Sequence, residues 1–145
     1  MTPQAKAAFA ILILVAIAMC ANARADSVLL GGWSTHLFSD DANYNQNHKL
    51  IAVQTGQLLI AGFENSHSRE SYAVAYGWQW LGSDVRADLY LGAVRGYRGC
   101  YNDSGDKTIV CPLIVPSISY TGFGSIQPTL LLMGEALTFT VRIDW

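Results

Sequence analysis

The carboxy-terminal stretch Leu137-Thr138-Phe139-Thr140-Val141-Arg142-Ile143-Asp144-Trp145 alternates without a break. Leu137, Phe139, Val141, Ile143 and Trp145 fall on one face; Thr138, Thr140, Arg142 and Asp144 fall on the other. A period of two is the signature of an extended strand. The same rhythm runs through Ser71–Leu81, where Tyr72, Val74, Tyr76, Trp78 and Trp80 oppose Ala73, Ala75, Gly77 and Gln79. It returns where Ala87, Leu89, Leu91 and Ala93 oppose Arg86, Asp88, Tyr90 and Gly92. One face is greasy throughout, and the other is small or charged. A soluble core would have to bury the greasy face or take the charges inward unpaired, which is costly. A membrane barrel inverts the pattern, with aliphatics outside and polar groups paired within.

Working outward, apolar runs between turn signals predict eight strands: Val28–Leu37, Lys49–Thr55, Gln57–Asn65, Ser71–Leu81, Val85–Gly96, Thr108–Tyr120, Ser125–Met133 and Leu137–Trp145. Thr55-Gly56, Gly82-Ser83-Asp84, Thr121-Gly122 and Gly134-Glu135 are short breaks; longer connections follow strands one, three and five. No stretch after Asp26 keeps helical spacing for three turns. The expected fold is all-β, an eight-stranded antiparallel outer-membrane β-barrel, as opposed to the soluble sandwich that the same strand count also permits. A strand ending the chain on an aromatic residue, Trp145, is what outer-membrane barrels present for assembly.

Composition agrees. Half of the 145 residues are apolar (51%) and 14% are charged, which excludes a disordered chain. The formal charge of −2, with no basic cluster, excludes a nucleic-acid partner. Ala7–Met19 carries no charge and is too short to span a bilayer as a helix. With Lys6 before it and Ala23-Arg24-Ala25 after it, it reads as a secretory signal peptide over residues 1–25, cleaved near Ala25. The domain is then residues 26–145, exported to the outer membrane of a Gram-negative cell. Cys20 leaves with the signal, so Cys100 and Cys111 remain as an even pair expected to form a disulfide in an oxidising compartment. A metal pair is the rival, but no His or further Cys lies near them in sequence to complete a site.

One constellation carries chemistry. Ala61-Gly62-Phe63-Glu64-Asn65-Ser66, followed by Ala75-Tyr76-Gly77-Trp78, resembles the lipid A palmitoyltransferase family (PagP). That family has a Phe-x-Asp-Ser segment and a Gly-Tyr-Gly-Trp segment, with the Trp twelve positions after the Ser, as Trp78 follows Ser66 here. Tyr44-Asn45, Leu89 to Gly96, and Pro116-Ser117-Ile118-Ser119-Tyr120-Thr121-Gly122-Phe123-Gly124 are similar to further family segments. Coverage runs from about Trp33 to Trp145. The resemblance implies a barrel that moves a palmitoyl chain from a phospholipid donor to lipid A. It implies catalytic roles for His36, Asn65 and Ser66, and an acyl-chain pocket at Gly77 with Ala75 and Ala73. Gly77 would set the chain length, and Pro116 matches a family proline that loosens the barrel wall for lipid access. No cofactor or metal is expected, and the barrel is expected to act as a monomer.

On their own terms these residues suit acyl transfer. A hydroxyl acceptor needs a base, and imidazole titrates near neutral pH. Ser66 fits either a nucleophile or a hydrogen-bond donor. Asn65 stands where the family has Asp; an amide can orient an imidazole or donate to an oxyanion, but it brings no charge, which Glu64 or Glu70 would have to supply. His48 and His67 are rival bases. Transfer to water would make the same site a deacylase or lipase, and a non-catalytic barrel that binds lipid or scaffolds the membrane is the third reading.

Overall fold

The computed structural model describes residues 27–38, 44–97 and 110–145. Eight strands follow one another: β1 (Ser27–His36), β2 (Asn47–Thr55), β3 (Leu58–Glu64), β4 (Glu70–Leu81), β5 (Val85–Arg95), β6 (Val110–Tyr120), β7 (Ile126–Met133) and β8 (Ala136–Asp144). Each pairs antiparallel with the next, and β8 returns to β1, so the sheet is a closed barrel without edges. The signal peptide expected over residues 1–25 lies outside the described residues, as does Cys100. Cys111 is buried inside β6 and disulfide-bonded.

Alternation decides which side chains point where, as the sequence predicts. Val74, Tyr76, Trp78, Ile114, Leu130 and Phe139 are exposed on the outer wall. So extensive an apolar exterior does not suit a monomer in water; the barrel is consistent with an outer-membrane protein. The charged residues of the opposite face meet inside. Arg86 Nε lies 2.9 Å from Asp88, and Arg142 Nε lies 2.7 Å from Asp144, with Arg86 also 3.5 Å from Asp144. Two cations facing two carboxylates neutralise one another, which makes their burial tolerable.

Ser27 and Asp144 lie at one end with the tight turns after β2, β4 and β6. The long connections after β1, β3 and β5 gather at the other end. The interior therefore has three levels: the ion-pair network at the end bearing the termini, an apolar middle, and a ring of His and Ser at the long-loop rim.

Two irregularities shape the upper wall. On β1, the register shifts between Gly31 and Trp33 against both β2 and β8. Gly31 and Gly32 carry φ values of 102° and 96°, a region that glycine enters freely. The bulge switches the inward parity of the strand: Ser27 and Leu29 face inward below it, and Ser34 does so above it. The second irregularity is between β6 and β7, whose described pairs are only Ser117–Leu131, Ile118–Leu130 and Ser119–Thr129. Above Ser117 the described ladder stops: Pro116 has no N–H to donate, and Leu132 and Met133 of β7 have no described pair on β6.

Candidate functional site

The rim brings together residues far apart in sequence. His36 ends β1, and Ser66 is the second residue of the connection between β3 and β4. His36 Nε2 lies 3.0 Å from Ser66 Oγ. Tyr44 stacks on the His36 ring with centroids 4.3 Å apart, and His67 meets Tyr44 edge-on at 5.6 Å. The Asn45 backbone N–H donates to the Ser66 carbonyl at 2.8 Å, so the segment after β1 clamps the Ser66 turn.

Asn65 is fully buried and belongs to the turn's own framework. Its Oδ1 accepts from the backbone N–H groups of His67 at 2.9 Å and Arg69 at 3.2 Å. Its Nδ2 donates to Ser71 Oγ and to the Gly96 carbonyl, both at 3.0 Å. Both ends of the amide are thus committed to Ser71, Gly96 and the turn rather than to His36. The catalytic role expected for Asn65 becomes one of holding Ser66 in place. Nor do the two carboxylates turn to His36: Glu64 pairs with Lys49 at 2.8 Å, and Glu70 accepts from the Tyr72 hydroxyl at 3.3 Å.

A second His–Ser pair lies one step deeper. Ser34 Oγ and His48 Nε2 are 2.6 Å apart, and His48 Nδ1 lies 2.7 Å from the Glu64 carbonyl. A carbonyl only accepts, so the Nδ1 position carries a proton. Sequence reasoning weighed His48 but passed over Ser34. Its signal was its place two residues before His36 on the same strand face.

Below the rim is a small chamber lined by His48, Phe63, Ser66, Tyr97, Met133, Ala136 and Thr138. Burial pushes the pKa of the Tyr97 phenol above its ordinary value. Phe63 and Met133 also border a larger, wholly apolar well lined by Leu29, Leu50, Ala52, Leu59, Ala61, Ala73, Leu113, Val115 and Leu131. Its cavity volume is about 30 Å³, room for one or two water-sized groups, so a longer apolar guest enters only as the lining side chains part. Tyr90 closes the bottom. Its ring faces the well, and its hydroxyl donates to Gln54 Oε1 at 2.9 Å and accepts from Arg142 at 3.2 Å. Gln54 and Arg142 in turn belong to the polar end of the barrel.

Of the three expected pocket residues, Ala73 lines the well. Ala75 is buried in the barrel interior but is not part of the well's lining. Gly77 lies behind Tyr90: a Cβ there would sit 2.8 Å from the ring. Gly77 thus acts on the well through the floor residue, which sequence reasoning counted only as one of the polar-face group on β5. Among the described residues, no cluster of three or more His, Cys, Asp or Glu is placed to hold a metal.

Fold and site together define a class: a small closed β-barrel with a His–Ser rim set over an apolar internal well. No family model matches the chain, and no curated protein matches it.

Proposed function

We propose that this protein is an outer-membrane acyltransferase that moves a fatty acyl chain, palmitoyl or similar, from a phospholipid to lipid A or a related hydroxyl acceptor. The observation that carries the reading is vertical placement. The His36–Ser66 pair, 3.0 Å apart, borders a chamber that shares Phe63 and Met133 with the apolar well beneath. An ester whose chain enters the well, parting its lining side chains, would place its carbonyl near the His36–Ser66 pair. Burying a chain there gains roughly 0.8 kcal/mol per methylene against water.

In this reading His36 takes the proton of the acceptor hydroxyl. The acceptor oxygen attacks the ester carbonyl, the donor ester bond breaks, and the lysophospholipid leaves with the proton. Ser66 donates a hydrogen bond to the carbonyl oxygen as charge develops on it, a contribution strongest in a water-excluded site. The break in β6–β7 pairing above Ser117, beside Pro116, supports lateral entry of lipid, and residues 1–25 serve as the export signal.

Mass spectra of lipid A test this, from a Gram-negative host lacking its own palmitoyltransferase, with and without the protein. A species heavier by one acyl chain, lost in Ser66→Ala and His36→Ala, is the expected result. A lighter species would mean deacylation, and an unchanged spectrum with folded barrel present would refute transfer to lipid A.

A further inference from the structure

Ser34, His48 and Thr138 form a group of their own beneath the rim. Ser34 and His48 are both nearly buried, and their hydrogen bond of 2.6 Å joins β1 to β2. The Nδ1 proton of His48 is committed to the Glu64 carbonyl. In the neutral ring Nε2 is then an acceptor, and the Ser34 hydroxyl donates to it. A serine with its proton directed at an imidazole whose tautomer is fixed from behind is the arrangement that activates a nucleophile. Thr138 supplies a second, independent observation. It stands opposite Ser34 in the β1–β8 register, so their Cβ atoms are about 4.5–5.5 Å apart. It lines the same chamber as His48 and is 1% exposed, yet its hydroxyl has no hydrogen-bond partner among the described residues. A buried hydroxyl left unpaired costs stability, about 1–3 kcal/mol. An oxygen from outside the chain would satisfy it.

We propose that Ser34 is a nucleophile that carries the acyl chain as a covalent ester, with His48 as its base and Thr138 as a donor to the carbonyl oxygen. This rests on the proposed ester chemistry and divides its single transfer into two half-reactions, with His48 taking the protons that direct transfer assigns to His36. Ser34 Oγ attacks the carbonyl carbon of a long-chain ester whose tail lies in the apolar well, and its proton passes to His48 Nε2. The ester C–O bond breaks, and the departing alcohol takes that proton. In the second half an acceptor hydroxyl, at the level of His36 and Ser66, gives its proton to His48 and attacks the acyl carbon; the bond to Ser34 Oγ breaks, and His48 returns the proton to Ser34. The deeper pair handles the donor ester, and the rim pair orients the acceptor.

The probe is a long-chain alkyl fluorophosphonate added to the refolded full barrel in detergent. Attack by an activated serine forms an O–P bond and expels fluoride. The expected result is one phosphonyl group, mapped by peptide mass to Ser34. Labelling falls about 100-fold or more in His48→Gln, the smallest loss typical of a removed base, and falls in Thr138→Val. Heat-modifiable migration checks that each variant is folded. If Ser34→Ala fails to fold, Ser34→Cys keeps a nucleophile, and its alkylation by iodoacetamide is expected to slow in Ser34→Cys/His48→Gln. Labelling of Ser34 without any lipid A product would sink the transferase reading and leave the nucleophile standing. A folded wild-type barrel labelled only at Ser66, or unlabelled, would overturn the Ser34 assignment whatever lipid A shows. So would lipid transfer at the wild-type rate by Ser34→Ala.

Discussion

Replacing Gly77 with Ala tests whether Tyr90 is held in place as the floor of the well. The added Cβ would stand 2.8 and 2.9 Å from two carbons of the Tyr90 ring, where ordinary contact begins at 3.4 Å. The ring must therefore withdraw by about 0.6 Å. It is not a loose end that can swing aside, because its hydroxyl is fixed to Gln54 and Arg142 at 2.9 and 3.2 Å. Overpacking of this kind typically costs about 1–3 kcal/mol. With a urea slope of about 2 kcal/mol per molar, the unfolding midpoint should fall by roughly 0.5–1.5 M. Urea titration of the barrel in detergent, read by tryptophan fluorescence and heat-modifiable migration, measures this. Tyr90→Leu in the same chain removes the ring, so the Gly77→Ala penalty should shrink to under about 0.5 kcal/mol, the usual limit of additivity. An unchanged midpoint for Gly77→Ala, or an equal penalty in the Tyr90→Leu background, would refute the idea that Gly77 makes room for the floor.

In the lipid transfer assay, Gly77→Met pushes the floor further into the well and should shift the product towards shorter acyl chains, as read from product masses. Asn65→Asp cannot donate to the Gly96 carbonyl and leaves a buried oxygen facing it, so the turn should lose about 1–3 kcal/mol of local stability; amide hydrogen exchange at residues 65–69 measures the loss. Arg142→Met leaves Asp144 without its nearest cation at 2.7 Å and should cost roughly 3–5 kcal/mol, seen in the same urea titration. Lys49→Ala breaks only an exposed pair with Glu64, and its midpoint should move by less than about 0.5 kcal/mol in equivalent energy.

Much of the barrel was legible because period-two alternation placed Arg86, Asp88, Arg142 and Asp144 on the face opposite the aromatics, and only a polar interior satisfies all four. His36 and Ser66 were singled out by the family resemblance, and the fold brings them within 3.0 Å of one another. The partners of Asn65 were not legible, because Gly96 and Ser71 are groups that only the folded turn brings to it. Tyr90 was passed over because alternation gives a residue's face but not its height in the barrel; its position between the well and the ion pairs comes from the β4–β5 register. Ser34 was passed over for a related reason, since its signal was only its place on the face of His36. Below the bulge the inward residues of β1 are odd-numbered, and extending that count would have turned Ser34 and His36 outward.

That change of parity makes β1 a strand with two frames, joined at Gly31-Gly32. Losing one of those glycines would restore a single frame. Trp33 would stay opposite Phe139 and Ser34 opposite Thr138, because Gly32 is the one residue that β1 carries in excess of β8. Ser34 and His36 would still point inward. Losing a residue within either frame instead turns what lies beyond it to the opposite wall, so on β1 the bulge is the one place where the strand can shorten without turning its chemistry outward.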